Sequence, residues 1–320
     1  MTAALKTDIR IAVPFGANTI HKIDTYLATT AKREALSGNV IVSRGRGTAI
    51  IRSYGFANRE HWVPNMANTR YRIGSVTKQF TAAAVLQLQQ RGLLDIQAPI
   101  TEYLPSYPSN QSSGSAITIH HLLTHSSGIP DYLNPKLFPN ILEWLRLPNT
   151  LEQVINRFKT LPLVFEPGAA FLYSNSGYVL LTQMIETVAG QSYADYLQEN
   201  IFLPLGMTHT GYEVPKAIIP NLAQGYFSLG EQNYFLAEPI DMSLPQGAGG
   251  LYSTIEDLAI WSQWLSRFDQ EYADSKQSPL SKESVALLLR PHIAMILDKS
   301  APHAFYGYGL VHETYIYRPL

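Results

Sequence analysis

Strand-forming runs lie near both ends of the sequence and helical runs fill the middle, an order that constrains the fold more than any single residue. Residues 40–43 and 49–54 are β-rich and are separated by Arg44-Gly45-Arg46-Gly47, a hairpin signal. Tyr306-Gly307-Tyr308-Gly309-Leu310-Val311 and residues 313–317 read as two further strands. Ahead of the hairpin, residues 20–37 read as a helix closed by Gly38, and a second helix opens at Ser75 and stops at Gly92. From about Asp95 to Pro239 the pattern changes to short helices punctuated by prolines: residues 119–124, 151–160 and 178–188. Ser192-Tyr193-Ala194-Asp195 offers a capping box, and Thr254-Ile255-Glu256-Asp257 caps an amphipathic helix through Trp264. This distribution predicts an α+β fold, in which a mostly antiparallel sheet of N- and C-terminal strands is flanked by helices and carries an inserted helical lobe over roughly residues 95–240. With no internal repeat or linker, residues 1–320 read as one domain with two lobes.

Composition narrows the function. A hydrophobic content of 46% against 15% charged residues suits a globular chain with a large core. The net charge of −1, with no run of one sign, argues against nucleic acid or an anionic membrane surface as partner. The absence of cysteine removes disulfides, thiol nucleophiles and Cys-based metal sites. Residues 1–15 lack the apolar core of a signal peptide, and no stretch approaches the ~18 apolar residues of a membrane span. The expectation is a soluble, cytoplasmic protein without a membrane span or cofactor, its oligomeric state left open.

The chemistry concentrates at Arg72-Ile73-Gly74-Ser75-Val76-Thr77-Lys78-Gln79-Phe80. Of the lysines, Lys78 alone has a serine three positions before it. On a helix, i and i+3 share a face with Cβ atoms roughly 5–6 Å apart, so a hydroxyl and an amine can share a proton and the serine can become a nucleophile. At a helix start Ser75 would also meet the positive end of the dipole and nearby backbone N–H groups able to hold an oxyanion. For Lys78 to serve as base near neutrality its pKa must fall from the ordinary ~10.4 to near 7, a change of roughly 4 kcal/mol that burial or a cationic neighbour has to supply. The plain alternative is a capping serine followed by a solvated lysine.

A second element bears on that choice. Phe165-Glu166-Pro167-Gly168 leads into Tyr173-Ser174-Asn175, a turn-rich loop directly before an apolar helix. The Tyr173 phenol can relay protons, and the Asn175 amide can bind a substrate carbonyl. The alternative is a capping loop with a packed tyrosine. Tyr132-Leu133-Asn134, between Pro130 and Pro135, has the same spacing.

Read together, these segments resemble the serine β-lactamase and penicillin-binding-protein superfamily, and most of all its class C branch, which includes DD-carboxypeptidases, family VIII esterases and D-amino-acid amidases. The resemblance runs in order through Tyr54-Gly55-Phe56-Ala57, the Ser75 segment, Leu122-Leu123-Thr124-His125-Ser126-Ser127-Gly128-Ile129-Pro130, Pro167-Gly168 and Tyr173-Ser174-Asn175. It continues through Pro204-Leu205-Gly206-Met207, Gly249-Gly250-Leu251-Tyr252-Ser253 and Tyr306-Gly307-Tyr308-Gly309. It implies Ser75 as acylated nucleophile, Lys78 as its proton partner, Tyr173 as second general acid or base and Asn175 as substrate-orienting amide. The reaction class implied is acyl transfer through an acyl-enzyme, on a small ester, amide, D-amino-acid peptide or β-lactam.

The superfamily also carries a third element, Lys or His, then Thr, Ser or Gly, then Gly, on the strand after the Tyr-Gly-Tyr-Gly region. The sequence reaches Tyr317-Arg318-Pro319-Leu320 where that element is expected to begin, so the reading includes a C-terminally incomplete fold. A module that binds ligand without turnover is the alternative it leaves open. His209-Thr210-Gly211 and Lys299-Ser300-Ala301 are lookalikes, the first in a structural segment and the second in a loop. His121 and His125 have a metal-ligand spacing but read as structural, Glu166 as a turn residue, and Trp261 and Trp264 as the core face of a helix.

Overall fold

The computed structural model describes residues 15–33, 36–44, 47–108, 116–214, 216–229, 233–267, 278–295 and 304–313. The chain divides into two compact units, and the α+β layout expected from the sequence holds, with antiparallel strand pairs gathered in small sheets.

The first unit comprises Met1–Tyr71, Ile219–Glu238 and Ser253–Ser266. Its helix spans Ala17–Arg33, starting and ending before the expected limits, and strands Gly38–Arg44 and Gly47–Tyr54 pair antiparallel as the hairpin signal required. A register shift between Val42 and Ser43 marks a bulge near the turn. A short hairpin of Tyr226–Ser228 and Tyr234–Leu236 lies in a stretch that read as helical and loop. Three-residue strands give a period-2 pattern too short to see in sequence. The helix Ile255–Leu265 starts at Thr254, whose hydroxyl accepts from the Asp257 N–H, and its Trp261 and Trp264 are buried as expected.

The second unit comprises Arg72–Ile218, Pro239–Tyr252 and Arg267–Leu320. Its centre is the helix Thr77–Gln90, buried on nearly every side: Phe80, Ala82, Ala83, Ala84, Val85, Leu86 and Leu88 are all at most 1% exposed. A helix apolar all round belongs inside a core. The alanine run lets it pack closely against the helix Asn175–Ala189, itself buried from Tyr178 to Leu181. Each fully buried large apolar side chain of this layer contributes about 1.5–3 kcal/mol. Further helices at Ile119–Leu123 and Leu151–Asn156 begin with capping boxes, Thr118 with His121 and Thr150 with Gln153. At Ser192 the hydroxyl caps the Asp195 N–H, so the predicted start stands, though the Asp195 carboxylate takes the serine O–H rather than closing the box.

Strands Ile293–Ala294, Ala304–Tyr306 and Val311–Glu313 form a three-stranded antiparallel sheet. The strand expected over residues 313–317 lies mostly outside the described residues, as does Lys299-Ser300-Ala301. Gly211–Tyr212, which contains the glycine of the His209-Thr210-Gly211 lookalike, pairs with Leu251 and Tyr252 as a structural strand.

The Tyr308-Gly309 turn touches the Thr77–Gln90 helix so closely that only glycine fits. Gly309 has φ +76°, and a Cβ there would lie 2.7 Å from the Gln79 nitrogen and the Lys78 carbonyl carbon. Gly92, also left-handed at φ +71°, has open space where its Cβ would go. Gly92→Ala therefore costs only backbone strain, about 1 kcal/mol, whereas Gly309→Ala adds a backbone clash worth a further ~1–3 kcal/mol. Urea denaturation of both variants checks this; equal losses would show that the turn moves aside.

Candidate active site

Ser75 lies not in the α-helix but in a tight 3₁₀ turn, Gly74–Val76, that feeds it. The helix cap is Val76, which makes no side-chain capping bond. Instead, the Ser75 hydroxyl receives the Lys78 Nζ at 3.2 Å and the Tyr173 phenol at 2.8 Å. The capping-serine alternative is thereby excluded. The solvated-lysine alternative also fails, because Lys78 is 1% exposed.

The Lys78 amine has three fixed partners: Ser75 Oγ, Asn175 Oδ1 at 2.9 Å and the Ala248 carbonyl at 2.7 Å. The last two can only accept. A neutral amine therefore directs its two N–H bonds at them and turns its lone pair towards Ser75. Burial pulls Lys78 down to about 7, with the Asp131 charge acting in the opposite sense. The rings of Tyr173 and Tyr178 lie 4.8 and 5.4 Å from Nζ and soften the cost of the ammonium form.

Tyr173 differs in kind. Burial raises its pKa, the hydrogen bond to Ser75 works against that rise, and the Asp131 charge adds to it. It is therefore a neutral donor near neutrality, and Lys78 is the group placed to accept a proton. Tyr132, in the lookalike triplet, is fully buried and donates to the Leu244 carbonyl at 3.1 Å, which makes it a core anchor.

Asn175 opens the helix Asn175–Ala189 and spans two charged groups. Its Oδ1 accepts from Lys78, while its Nδ2 donates to Asp131 Oδ2 at 3.1 Å and more weakly to Oδ1 at 3.4 Å. Only this amide orientation satisfies a donor on one side and a carboxylate on the other. The second N–H of Nδ2 can still meet a substrate carbonyl.

One contributor, Asp131, was not singled out from sequence, and a second, His125, was weighed there only as a structural histidine. Asp131 follows directly on the Gly128-Ile129-Pro130 segment, and its burial, which raises its pKa, was not readable there. His125 lies within a quoted motif but read as structural. It is 2% exposed, has a left-handed backbone at φ +56°, and its ring centroid sits 4.2 Å from that of Tyr173. Its Nδ1 accepts from the Ser174 N–H at 3.1 Å, which leaves Nε2 to donate to the Tyr306 hydroxyl at 3.0 Å. Burial first, and then the Lys78 charge, hold this imidazole well below its ordinary pKa. A non-glycine residue held left-handed beside a reactive group is the kind of strain that functional sites retain. His121, the other half of the metal-like pair, accepts the Thr118 N–H on Nδ1 as part of a helix cap. Among the described residues no His, Asp and Glu group is arranged to hold a metal.

The beta-lactamase family model matches residues 22–315, and the chain belongs to that family. It is 30% identical over 303 residues to Penicillin-binding protein 4* of Bacillus subtilis, covering 90% of this chain and 62% of that protein. It is likewise 30% identical over 238 residues to esterase EstB of Burkholderia gladioli, covering 71% of this chain and 60% of that one. The chain thus spans about three fifths of the length of these curated relatives. A solved penicillin-binding protein from Bacillus halodurans superposes with a TM-score of 0.75 at 30% identity, over 91% of this chain and 83% of that one.

The Lys78 geometry carries a prediction about stability. The folded pKa of about 7 lies below the ordinary 10.5, so between those values the unfolded chain binds the proton more tightly and stability rises with pH. Lys78→Met abolishes that dependence. Its stability relative to wild type is most favourable near pH 7 and declines by up to about 1.4 kcal/mol per pH unit as pH rises towards 9.5. Chemical denaturation at three pH values checks this; a difference independent of pH would mean that Lys78 is charged throughout.

Proposed function

We propose that this protein is a serine hydrolase that forms an acyl-enzyme at Ser75. The observation that carries the reading is the convergence of the Lys78 amine and the Tyr173 phenol on one serine oxygen. The neutral Lys78 takes the Ser75 proton as Oγ bonds to the acyl carbon. The bond to the leaving group then breaks, and the proton departs with that group, with the Tyr173 hydroxyl at the same oxygen as the relay. Asn175 holds Lys78 in line and offers its second N–H to the acyl group. Water then attacks the acyl-enzyme, gives its proton to the same pair of groups, and releases the acid with Ser75 restored.

The substrate class is a small ester, amide, D-amino-acid peptide or β-lactam. The names of the relatives, a penicillin-binding protein and an esterase, support acyl chemistry of this range. Among the described residues no helix is long and apolar enough to cross a membrane.

Incubation of the full chain with a fluorescent fluorophosphonate, followed by peptide mass spectrometry, tests the reading. An adduct is expected on the Ser75 peptide, absent in Ser75→Ala. Its rate of formation is expected to rise with pH through a midpoint near 7, following Lys78. Tyr173→Phe is expected to slow turnover of p-nitrophenyl acetate by about 10²-fold or more, the usual scale of general acid–base assistance. An unmodified Ser75 in folded protein would overturn the proposal, and adduct formation without turnover of ester, amide or lactam would favour a ligand-binding module.

A further inference from the structure

Asp131 has no part in the acyl-transfer chemistry described above, yet its carboxylate is the most heavily engaged polar group beside the site. Its Oδ1 accepts from the Asn175 backbone N–H at 3.3 Å and from the Leu133 N–H at 3.1 Å, and both oxygens accept from the Asn175 side chain. The loop that carries it is tied down on both sides. The Tyr132 N–H donates to Ser176 Oγ at 3.0 Å, Ser176 Oγ donates to the Pro130 carbonyl at 2.7 Å, and the Tyr132 hydroxyl reaches the Leu244 carbonyl.

The Asn175 amide has two possible orientations that differ by a half-turn. In the observed one its oxygen faces Lys78 and its nitrogen faces Asp131. The other sets a carbonyl against the carboxylate, which is repulsive, and an NH₂ group against the amine, which would draw the amine lone pair away from Ser75. A neutral residue at position 131 could accept either orientation, but a carboxylate cannot. We infer that Asp131 is a positioning residue for the acylation step, locking the Asn175 amide so that Lys78 always finds an acceptor there and keeps its lone pair for Ser75. This inference rests on the acyl-enzyme reading for its catalytic meaning, while the lock itself is a property of the resting site.

The charge has a second consequence. Asp131 stabilises the ammonium form of Lys78 against burial, so it sets where the base titrates. The groups facing Lys78 are Asp131, Tyr173, Tyr178 and His125; those facing Asp131 are Lys78, Tyr173 and Tyr132, with Arg157 acting on Tyr132 from beyond. The tyrosines stay neutral near pH 7 and His125 is held neutral, so among the described residues the Asp131 carboxylate is the one anion acting on Lys78 there.

Two measurements on Asp131→Asn, which keeps the shape, and Asp131→Ala test this. The first is ¹⁵N NMR titration of the lysine amines, with the Lys78 signal identified by its absence from Lys78→Met. Both variants are expected to move the Lys78 midpoint to lower pH. The second is the rate of fluorophosphonate labelling of Ser75 against pH. Its acid limb is expected to move down in step, and the plateau to fall about tenfold in Asp131→Ala, the scale of one lost hydrogen bond to a charged group. A residue that merely supported the loop would lower the plateau through misfolding without moving either midpoint. An unmoved Lys78 midpoint in a folded Asp131→Asn variant, judged by an unchanged melting profile, overturns the inference. If wild type fails to label at Ser75, the acyl-enzyme reading falls, while the titration still decides whether Asp131 controls Lys78.

Discussion

An amine has been taken almost wholly out of water at Lys78, and much of the second unit is arranged around that fact. Burying an ammonium without partners is prohibitive, so a buried lysine either loses its proton or is surrounded by acceptors and negative potential. Here both occur in part. The Ala248 carbonyl, the Asn175 oxygen and Ser75 occupy the three directions around Nζ, and two tyrosine rings and one carboxylate lie beyond. The burial itself follows from the core: a helix with an alanine run, a second apolar helix against it and a glycine turn pressed onto the Lys78 backbone leave no room for solvent. Desolvation pulls the amine towards neutrality, and the Asp131 carboxylate opposes that fall, leaving the amine near the pH at which a base is useful.

The aromatic layer beside the amine is fixed by hydrogen bonds as much as by packing. His125 is clamped between the Ser174 N–H and the Tyr306 hydroxyl, which settles its tautomer and holds its ring tilted against that of Tyr173. Tyr178 is tied to the Leu123 carbonyl. Met295, Ala304 and Tyr306 form a buried cluster against which Phe171 and Tyr173 pack, so the three-stranded sheet backs the loop that aims the phenol at Ser75. A phenol on a mobile loop would spend little time within 2.8 Å of a serine oxygen; one wedged between a neutral imidazole and a sheet stays there.

Much of this was legible in the residues. The hairpin, the central helix with its stop at Gly92, the helix after Asn175 and the Thr254 cap could be read because periodicity and capping chemistry are local. The pairing of Ser75 with Lys78 follows from helical spacing, and Tyr173 with Asn175 from the motif they share. What stayed hidden depends on distance in the fold. Spacing alone could not say which of two Tyr-x-Asn triplets turns inward, and burial decides it: Tyr132 is sealed in the core, whereas Tyr173 points at Ser75. Asp131 drew no reading from the sequence because its partner lies 44 positions away. Ser75 was placed at the start of the α-helix, but Gly74 permits a tighter turn before it that frees the hydroxyl from capping.

The misleading triplet and the overlooked acid prove to be parts of one device. Tyr132 and Asp131 are consecutive, at the entry to a turn in which the Leu133 N–H donates to Asp131 Oδ1. The phenol is driven into the core to meet the Leu244 carbonyl while the carboxylate turns towards Asn175. The anchor makes the lock possible. A carboxylate on a loose loop would swing into solvent to regain its hydration, because a partly buried anion pays for desolvation that only ordered donors repay. Two backbone N–H groups and one amide repay it here, and they stay ordered because the neighbouring ring cannot leave the core. The residue that imitates Tyr173 in sequence thus serves the candidate site by being immovable, and the proposed chemistry at Ser75 depends on it through two hydrogen-bonded neighbours, Asp131 and Asn175.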